Sequence, residues 1–133
     1  MRYLGIDYGT KRIGIAVSDG EGSIAFPRKT LLNNSNLLRE LAHIIEEERI
    51  EAVVIGDART LSGAENTITA ASDAFAKKIE EMMHIPTSRV REAYSSAEAM
   101  RFAPPRKRHD DSSAAAIILQ RFLDQNSPQQ FRE

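Results

Sequence analysis

The chain contains no cysteine among its 133 residues. That excludes disulfides and thiolate metal sites, and it fits a reducing, cytoplasmic setting. There is no excess of charge of either sign. Eighteen Lys and Arg stand against nineteen Asp and Glu, for a net charge of -1. No global field therefore draws the chain to nucleic acid or membrane, and any polyanion must be met by a local patch. No apolar run reaches the roughly 18 residues that a membrane span needs. The opening Met1-Arg2-Tyr3 leads straight into strand-like residues, so no leader and no membrane partner are expected. No internal repeat is visible.

What is present is an ordinary globular composition, 41% hydrophobic and 28% charged. The length suits one domain with a core of useful size, assigned to residues 1–125, with a polar, frayed tail at 126–133. Its organising stretch is Leu4-Gly5-Ile6-Asp7-Tyr8-Gly9-Thr10-Lys11-Arg12-Ile13-Gly14-Ile15-Ala16-Val17-Ser18-Asp19. Two apolar runs flank a polar turn, the pattern of a β-hairpin. Gly5 and Gly14, inside strands, point to a close approach by another backbone or a ligand. Asp7 ends the first run. A carboxylate at the mouth of an apolar strand needs a cation or water. Its alternative role is a turn cap, with the side chain bonded to nearby backbone.

Further along, residues 23–32 read as a third strand, where Pro27 implies an edge or a bulge. Asn33-Asn34-Ser35-Asn36 forms a loop that ends in a helix N-cap. Leu37, Leu38, Leu41, Ile44 and Ile45 then recur at helical spacing over 36–49. His43 falls off that stripe, and Glu46-Glu47-Glu48 reads as a solvated helix end. Ala52-Val53-Val54-Ile55-Gly56 suits a central strand covered on both faces. A long helix follows over 64–83, with Ile68, Ala71, Phe75, Ile79, Met82 and Met83 inward. A last strand spans 88–94 and a short helix 96–102. A basic loop over 104–109 leads to a final helix in which Ala114, Ala115, Ile118, Leu119 and Phe122 face inward. The order β-β-β-α-β-α-β-α-α predicts an α/β fold. Its five-stranded mixed sheet has the first three strands antiparallel and helices on both faces.

Three carboxylates fall at element ends: Asp7, Glu92 late in the last strand, and Asp111 at the start of the final helix. In parallel α/β sheets the carboxyl ends of strands share one edge, where ligands bind. Carboxylates gathered there repel one another, and a hard divalent cation relieves that repulsion. Mg²⁺ or Mn²⁺ suits such oxygen donors, and a pair of ions can activate water and stabilise the leaving oxygen in phosphodiester cleavage. Asp110 competes with Asp111 as the ligand, the other being the N-cap. Asp57 is either a further ligand or a loop acid near Arg59. Arg101, Arg106, Lys107 and Arg108 form the basic cluster, a phosphate-binding patch or a solvated loop. Lys11 and Arg12 add charge near Asp7 and are further candidates for meeting a nucleic-acid phosphate. His109 could assist proton transfer or be an ordinary loop residue.

The stretch 4–19 resembles the opening of the YqgF family, also called RuvX-like. Ala25 with Pro27 resembles that family's third strand. Asp111-Ser112-Ser113-Ala114-Ala115-Ala116-Ile117-Ile118-Leu119-Gln120 resembles its terminal helix. The resemblance spans nearly the whole chain. It implies an RNase H-like fold and an endonuclease acting at the 5′ end of pre-16S ribosomal RNA, or on four-way DNA as a Holliday-junction resolvase. It also implies Asp7, Glu92 and Asp111 as metal ligands. Two neighbourhoods depart from the pattern. Arg91-Glu92-Ala93 keeps the glutamate without its usual neighbours, and Gly56-Asp57-Ala58 replaces Gly-Leu-Pro. A non-catalytic RNA-binding member is thus a further reading. A monomer favours the RNA reading, and a dimer that sets two sites side by side favours branched DNA. Asp-x-Gly-Thr also resembles the phosphate loop of actin-like and sugar kinases, but that fold needs two such domains.

Overall fold

Leu4-Gly5-Ile6 is apolar throughout because its strand runs through the middle of the sheet, covered on both faces. The computed structural model describes residues 1–57, 67–91 and 111–125. Among them the chain forms β1 (Tyr3–Asp7), β2 (Arg12–Ser18), β3 (Ala25–Leu32), α1 (Leu37–Glu47) and β4 (Ala52–Asp57). It continues through α2 (Thr67–Met83), β5 (Thr87–Arg91) and α3 (Asp111–Gln125). The strands lie in the order β3-β2-β1-β4-β5. β2 is antiparallel to β1 and β3, and β4 is parallel to β1 and β5. This is the expected mixed sheet with three antiparallel strands first. The expected helix 96–102, the basic loop 104–109 and the tail from 126 lie outside the described residues.

The two faces of the sheet differ in the size of their side chains. On one, Leu4, Ile6, Ile13, Ile15, Val53 and Ile55 pack with Leu41 and Ile44 of α1 and with Phe75 and Ile79 of α2. On the other, Ala16, Val54 and Val90 pack with Ala115, Ile118, Leu119 and Leu123 of α3. The α3 face also carries Gly5 and Gly14, and the helix uses the space they leave. A Cβ on Gly5 would stand 2.7 Å from Leu119 Cβ and 3.1 Å from the Ala115 carbonyl oxygen. A Cβ on Gly14 would stand 1.9 Å from the Asp111 carbonyl oxygen. The close approach expected at these glycines is made by the backbone of a helix.

β3 is an edge strand, and its register against β2 slips between Ile15 and Ala16. Pro27 pairs with Ala16 and Lys29 with Ile15, so Arg28 is the extra residue of a bulge. Both features expected of Pro27 are present. The strand starts at Ala25, later than residue 23. The Asp19 carboxylate takes the N–H groups of Ser23 and Ile24, at 2.7 and 3.1 Å, and holds that segment as a loop.

The end of α1 is more than a solvated acidic run. Arg28 Nε donates to Glu48 at 2.9 Å, Arg28 Nη2 to Glu47 at 3.3 Å, and Arg2 Nη2 to Glu48 at 3.0 Å. Arg49 then adopts φ 57°, its N–H donating to the Glu46 carbonyl and that of Ile50 to the Ile45 carbonyl. This is a Schellman ending with arginine where glycine is usual. His84 ends α2 in the same left-handed region, with its N–H on the Glu80 carbonyl. Met82, expected inward, is 59% exposed. The buried stripe of α2 runs through Phe75, Ile79 and partly buried Met83 at four-residue steps, which turns Met82 outward. In α3, Leu123 is buried, while Phe122 packs half-buried on Tyr3 with ring centroids 5.4 Å apart.

Candidate active site

Asp7 is the last residue of β1 and is partly buried. It pairs with Gly14 of β2. Side chains alternate along a strand and agree in face across an antiparallel pair. Leu4 and Ile6 belong to the α1–α2 face, so Gly5 and Asp7 point toward α3. The Cβ direction of Gly14 meets the Asp111 carbonyl oxygen at 1.9 Å and Asp111 Cβ at 3.1 Å. The first residue of α3 is therefore set down on the direct partner of Asp7. Two carboxylates from opposite ends of the chain arrive at one corner of the sheet. An acid in the first turn of α3 also complements the helix dipole.

Arg12, the first residue of β2, shares this corner. Its Nε donates to Asp111 Oδ2 at 2.9 Å, with the arginine side chain 59% exposed and the aspartate 28%. Arg12 was expected to meet a phosphate, and here its guanidinium is engaged with a carboxylate. Lys11 is exposed in the preceding turn. That turn is fastened by Asn33, expected only as part of a loop. Its N–H donates to the Lys11 carbonyl at 2.9 Å, and its amide donates to the Gly9 carbonyl at 2.9 Å and the Tyr8 hydroxyl at 3.2 Å. The Tyr8 ring packs on Phe75 at 5.2 Å between centroids. The signal for Asn33 is the pairing of Arg12 with Leu32, which brings residue 33 level with residue 11 and is invisible without the register.

The parallel strands end at the same edge. Asp57 is the last residue of β4 and is in register with Arg91, the last of β5. Asp57 stands two residues after Ile55, and Glu92 two residues after Val90 of the α3-facing cluster. Glu92 itself lies outside the described residues, as do Asp110, Arg101, Arg106, Lys107, Arg108 and His109. Among the described residues no group of three His, Cys, Asp or Glu comes together to hold a metal. The described histidines are elsewhere: His43 is exposed on α1, and His84 ends α2 just before β5 begins, at the opposite sheet edge. Asp19 also sits at that opposite edge. Its carboxyl is held below its ordinary range, first by the Ser23 N–H and then by that of Ile24, which makes it a loop clamp.

The donors at the corner are carboxylate oxygens, the set a hard divalent cation prefers. Asp7 and Asp111, on adjacent backbone, fit such an ion. No described helix is long and apolar enough to cross a membrane.

Comparison with known proteins agrees with this architecture. The protein of Oleidesulfovibrio alaskensis named "Putative pre-16S rRNA nuclease" is 40% identical over 133 aligned residues, covering 93% of this chain and 92% of its own. A protein of the same name from Nitratidesulfovibrio vulgaris is 39% identical, covering 93% and 94%. Among solved structures, the RuvC of Thermus thermophilus superposes with a TM-score of 0.61 at 14% identity, covering 95% of this chain and 96% of its own. The fold is thus RNase H-like. The RuvX family, described as Holliday junction resolvase, matches residues 1–125, and the chain belongs to that family.

Proposed function

We propose that this chain is a cytoplasmic, divalent-metal-dependent endonuclease that hydrolyses a phosphodiester bond of structured RNA at the 5′ end of pre-16S ribosomal RNA. The observation that carries the reading is the corner of the sheet itself. Asp7 points to the α3 face, and its strand partner Gly14 bears the start of α3, Asp111 included. Asp7 and Asp111 are the first two ligands of this reading and Glu92 the third, with Asp57 and Asp110 as further candidates. Mg²⁺ or Mn²⁺ held there as a pair would activate the attacking water and stabilise the leaving oxygen. Lys11, with Arg101, Arg106, Lys107 and Arg108, would hold the phosphate backbone and set the register of the strand being cut. The names of the curated relatives support the RNA substrate.

A second reading, resolution of four-way DNA, is favoured by the description of the matching family. Symmetric nicking needs two sites in one particle, whereas RNA cleavage is within reach of a monomer or a weak homodimer.

The test is cleavage of a pre-16S 5′-leader transcript and of a four-way DNA junction, each with and without Mg²⁺ or Mn²⁺. Asp7→Asn and Asp111→Asn proteins are assayed beside the unaltered chain. Metal-dependent cutting of the transcript that both variants lose supports the proposal. Cutting of the junction alone moves the substrate to DNA. Binding of the transcript without cutting in either metal makes the chain an RNA-binding member. Equal cutting by all three proteins overturns the assignment of the acids.

A further inference from the structure

Resting on that reading of the corner, we propose that Arg12 is a built-in competitor cation. It holds one oxygen of the Asp111 carboxylate and competes with a divalent ion for that carboxylate. The argument is geometric. Arg12 Nε donates to Asp111 Oδ2 at 2.9 Å, so one of the two oxygens is already occupied by positive charge. The residue is anchored at its backbone and exposed at its head. Its Cα is locked into the β2–β3 ladder opposite Leu32, while its side chain is 59% exposed. An arginine so placed can swing into solvent at small cost, because a surface ion pair contributes little net stability.

The pair is also poor at any purely structural task. α3 already rests on Gly14 through the backbone of Asp111, and the helix is held along its length by buried Ala115, Ile118 and Leu119. The ion pair adds charge balance to a helix whose position is otherwise fixed. What it does to the site is keep a carboxylate neutralised near its strand-end neighbour until a stronger cation arrives. The displaced guanidinium, still tethered at the first residue of β2, is then free at the edge of the site where a substrate phosphate would lie.

The sign of the effect separates this role from a structural one. Removing a structural contact weakens metal binding, whereas removing a competitor tightens it. The experiment is calorimetric titration with Mn²⁺ alone on the unaltered protein and on Arg12→Gln, Lys11→Gln and Asp111→Asn, each first shown folded by circular dichroism. Lys11→Gln removes the same charge from the adjacent exposed position and measures the general Coulomb effect. The proposal expects Arg12→Gln to bind Mn²⁺ about three- to tenfold more tightly, the range that relief of one screened ion pair and its charge can supply. Lys11→Gln should stay within about twofold of the unaltered protein by the same screening. An Arg12→Gln affinity equal to or weaker than that of the unaltered protein, or matched by Lys11→Gln, overturns the competitor role while leaving the site intact. Unaltered Mn²⁺ binding by Asp111→Asn, or no binding by any of the four proteins, removes the site and the proposal together.

Discussion

Gly14→Ala is the sharpest perturbation this fold offers. The added methyl carbon would stand 1.9 Å from the Asp111 carbonyl oxygen and 2.4 Å from its carbonyl carbon, both backbone atoms. No rotamer change can relieve such a contact. To reach ordinary contact at 3.4 Å, β2 and the first turn of α3 must part by about 1.5 Å. Overpacking of this kind costs about 1–3 kcal/mol or somewhat more. A domain with about 5–15 kcal/mol to lose stays folded at room temperature. The functional cost should exceed the stability cost. Asp111 is carried on the displaced backbone, and an error of about 1 Å in a catalytic group can cost about a hundredfold in rate. The control is Gly5→Ala, whose methyl would meet Leu119 Cβ at 2.7 Å and the Ala115 carbonyl at 3.1 Å. That contact lies a turn and more further into α3, away from Asp111. Urea unfolding of both variants, with metal-dependent cleavage measured below the transition, separates the two effects. Both should lose stability, and Gly14→Ala should lose far more activity. A Gly14→Ala protein within about 0.5 kcal/mol of the original, a change typical of an uncrowded surface site, with full cleavage, would refute the contact.

Three further outcomes follow from particular residues. Arg49→Gly should stabilise the fold by about 0.5–1 kcal/mol in urea unfolding, since glycine adopts the φ of 57° without steric cost. Gln120→Ala should cost about 1–2 kcal/mol and speed hydrogen exchange at the Ala25 amide. Its side chain accepts from Ala25 N–H at 2.9 Å and donates to the Ser23 carbonyl at 3.0 Å, tying α3 to the start of β3. Asp19 titrates lower in the folded protein than its ordinary 3.8 because backbone N–H groups, that of Ser23 foremost, bond its charged form. The stability it adds is therefore present above the unfolded value and lost as pH falls through the lower folded one. Asp19→Asn should flatten the decline of the urea midpoint below about pH 4, and an equally steep decline would count against the clamp.

Much of the scaffold was legible because its patterns are local. The hairpin announced itself by two apolar runs around Tyr8-Gly9-Thr10-Lys11, and Pro27 announced an edge. Gly5 and Gly14 announced a close neighbour, although the residues alone left open whether it was backbone or ligand. The choice was settled by α3, whose small and aliphatic stripe at Ala115, Ile118 and Leu119 fits that side of the sheet. What stayed hidden depends on register. Arg12 looked like a free phosphate contact because nothing in the sequence places Asp111 across from it. Asn33 looked like loop because its three bonds reach residues more than twenty positions earlier. Glu47 and Glu48 looked solvated because their partners, Arg2 and Arg28, come from β1's approach and from a bulge. Met82 turns outward because the buried stripe of α2 steps by four through Phe75, Ile79 and Met83, which the methionine pair alone does not reveal.

The same glycine pair explains why the proposed site sits where it does. A helix resting on a sheet of full-sized side chains keeps its axis about 10 Å away, as packed layers do. Here Gly5, Gly14 and Ala16 remove that padding along the line where α3 crosses β1 and β2. The start of the helix is drawn down to the backbone of β2, level with the end of β1, because Asp7 and Gly14 share a rung of the ladder. The spacing between the two backbones that carry these acids is thus set by backbone-on-backbone contact and by core burial at Leu119 and Ile118. Flexible side chains do not set it. A site built this way resists drift in its two anchored acids. It leaves adjustment to exposed side chains, and among the described residues Arg12 already holds Asp111.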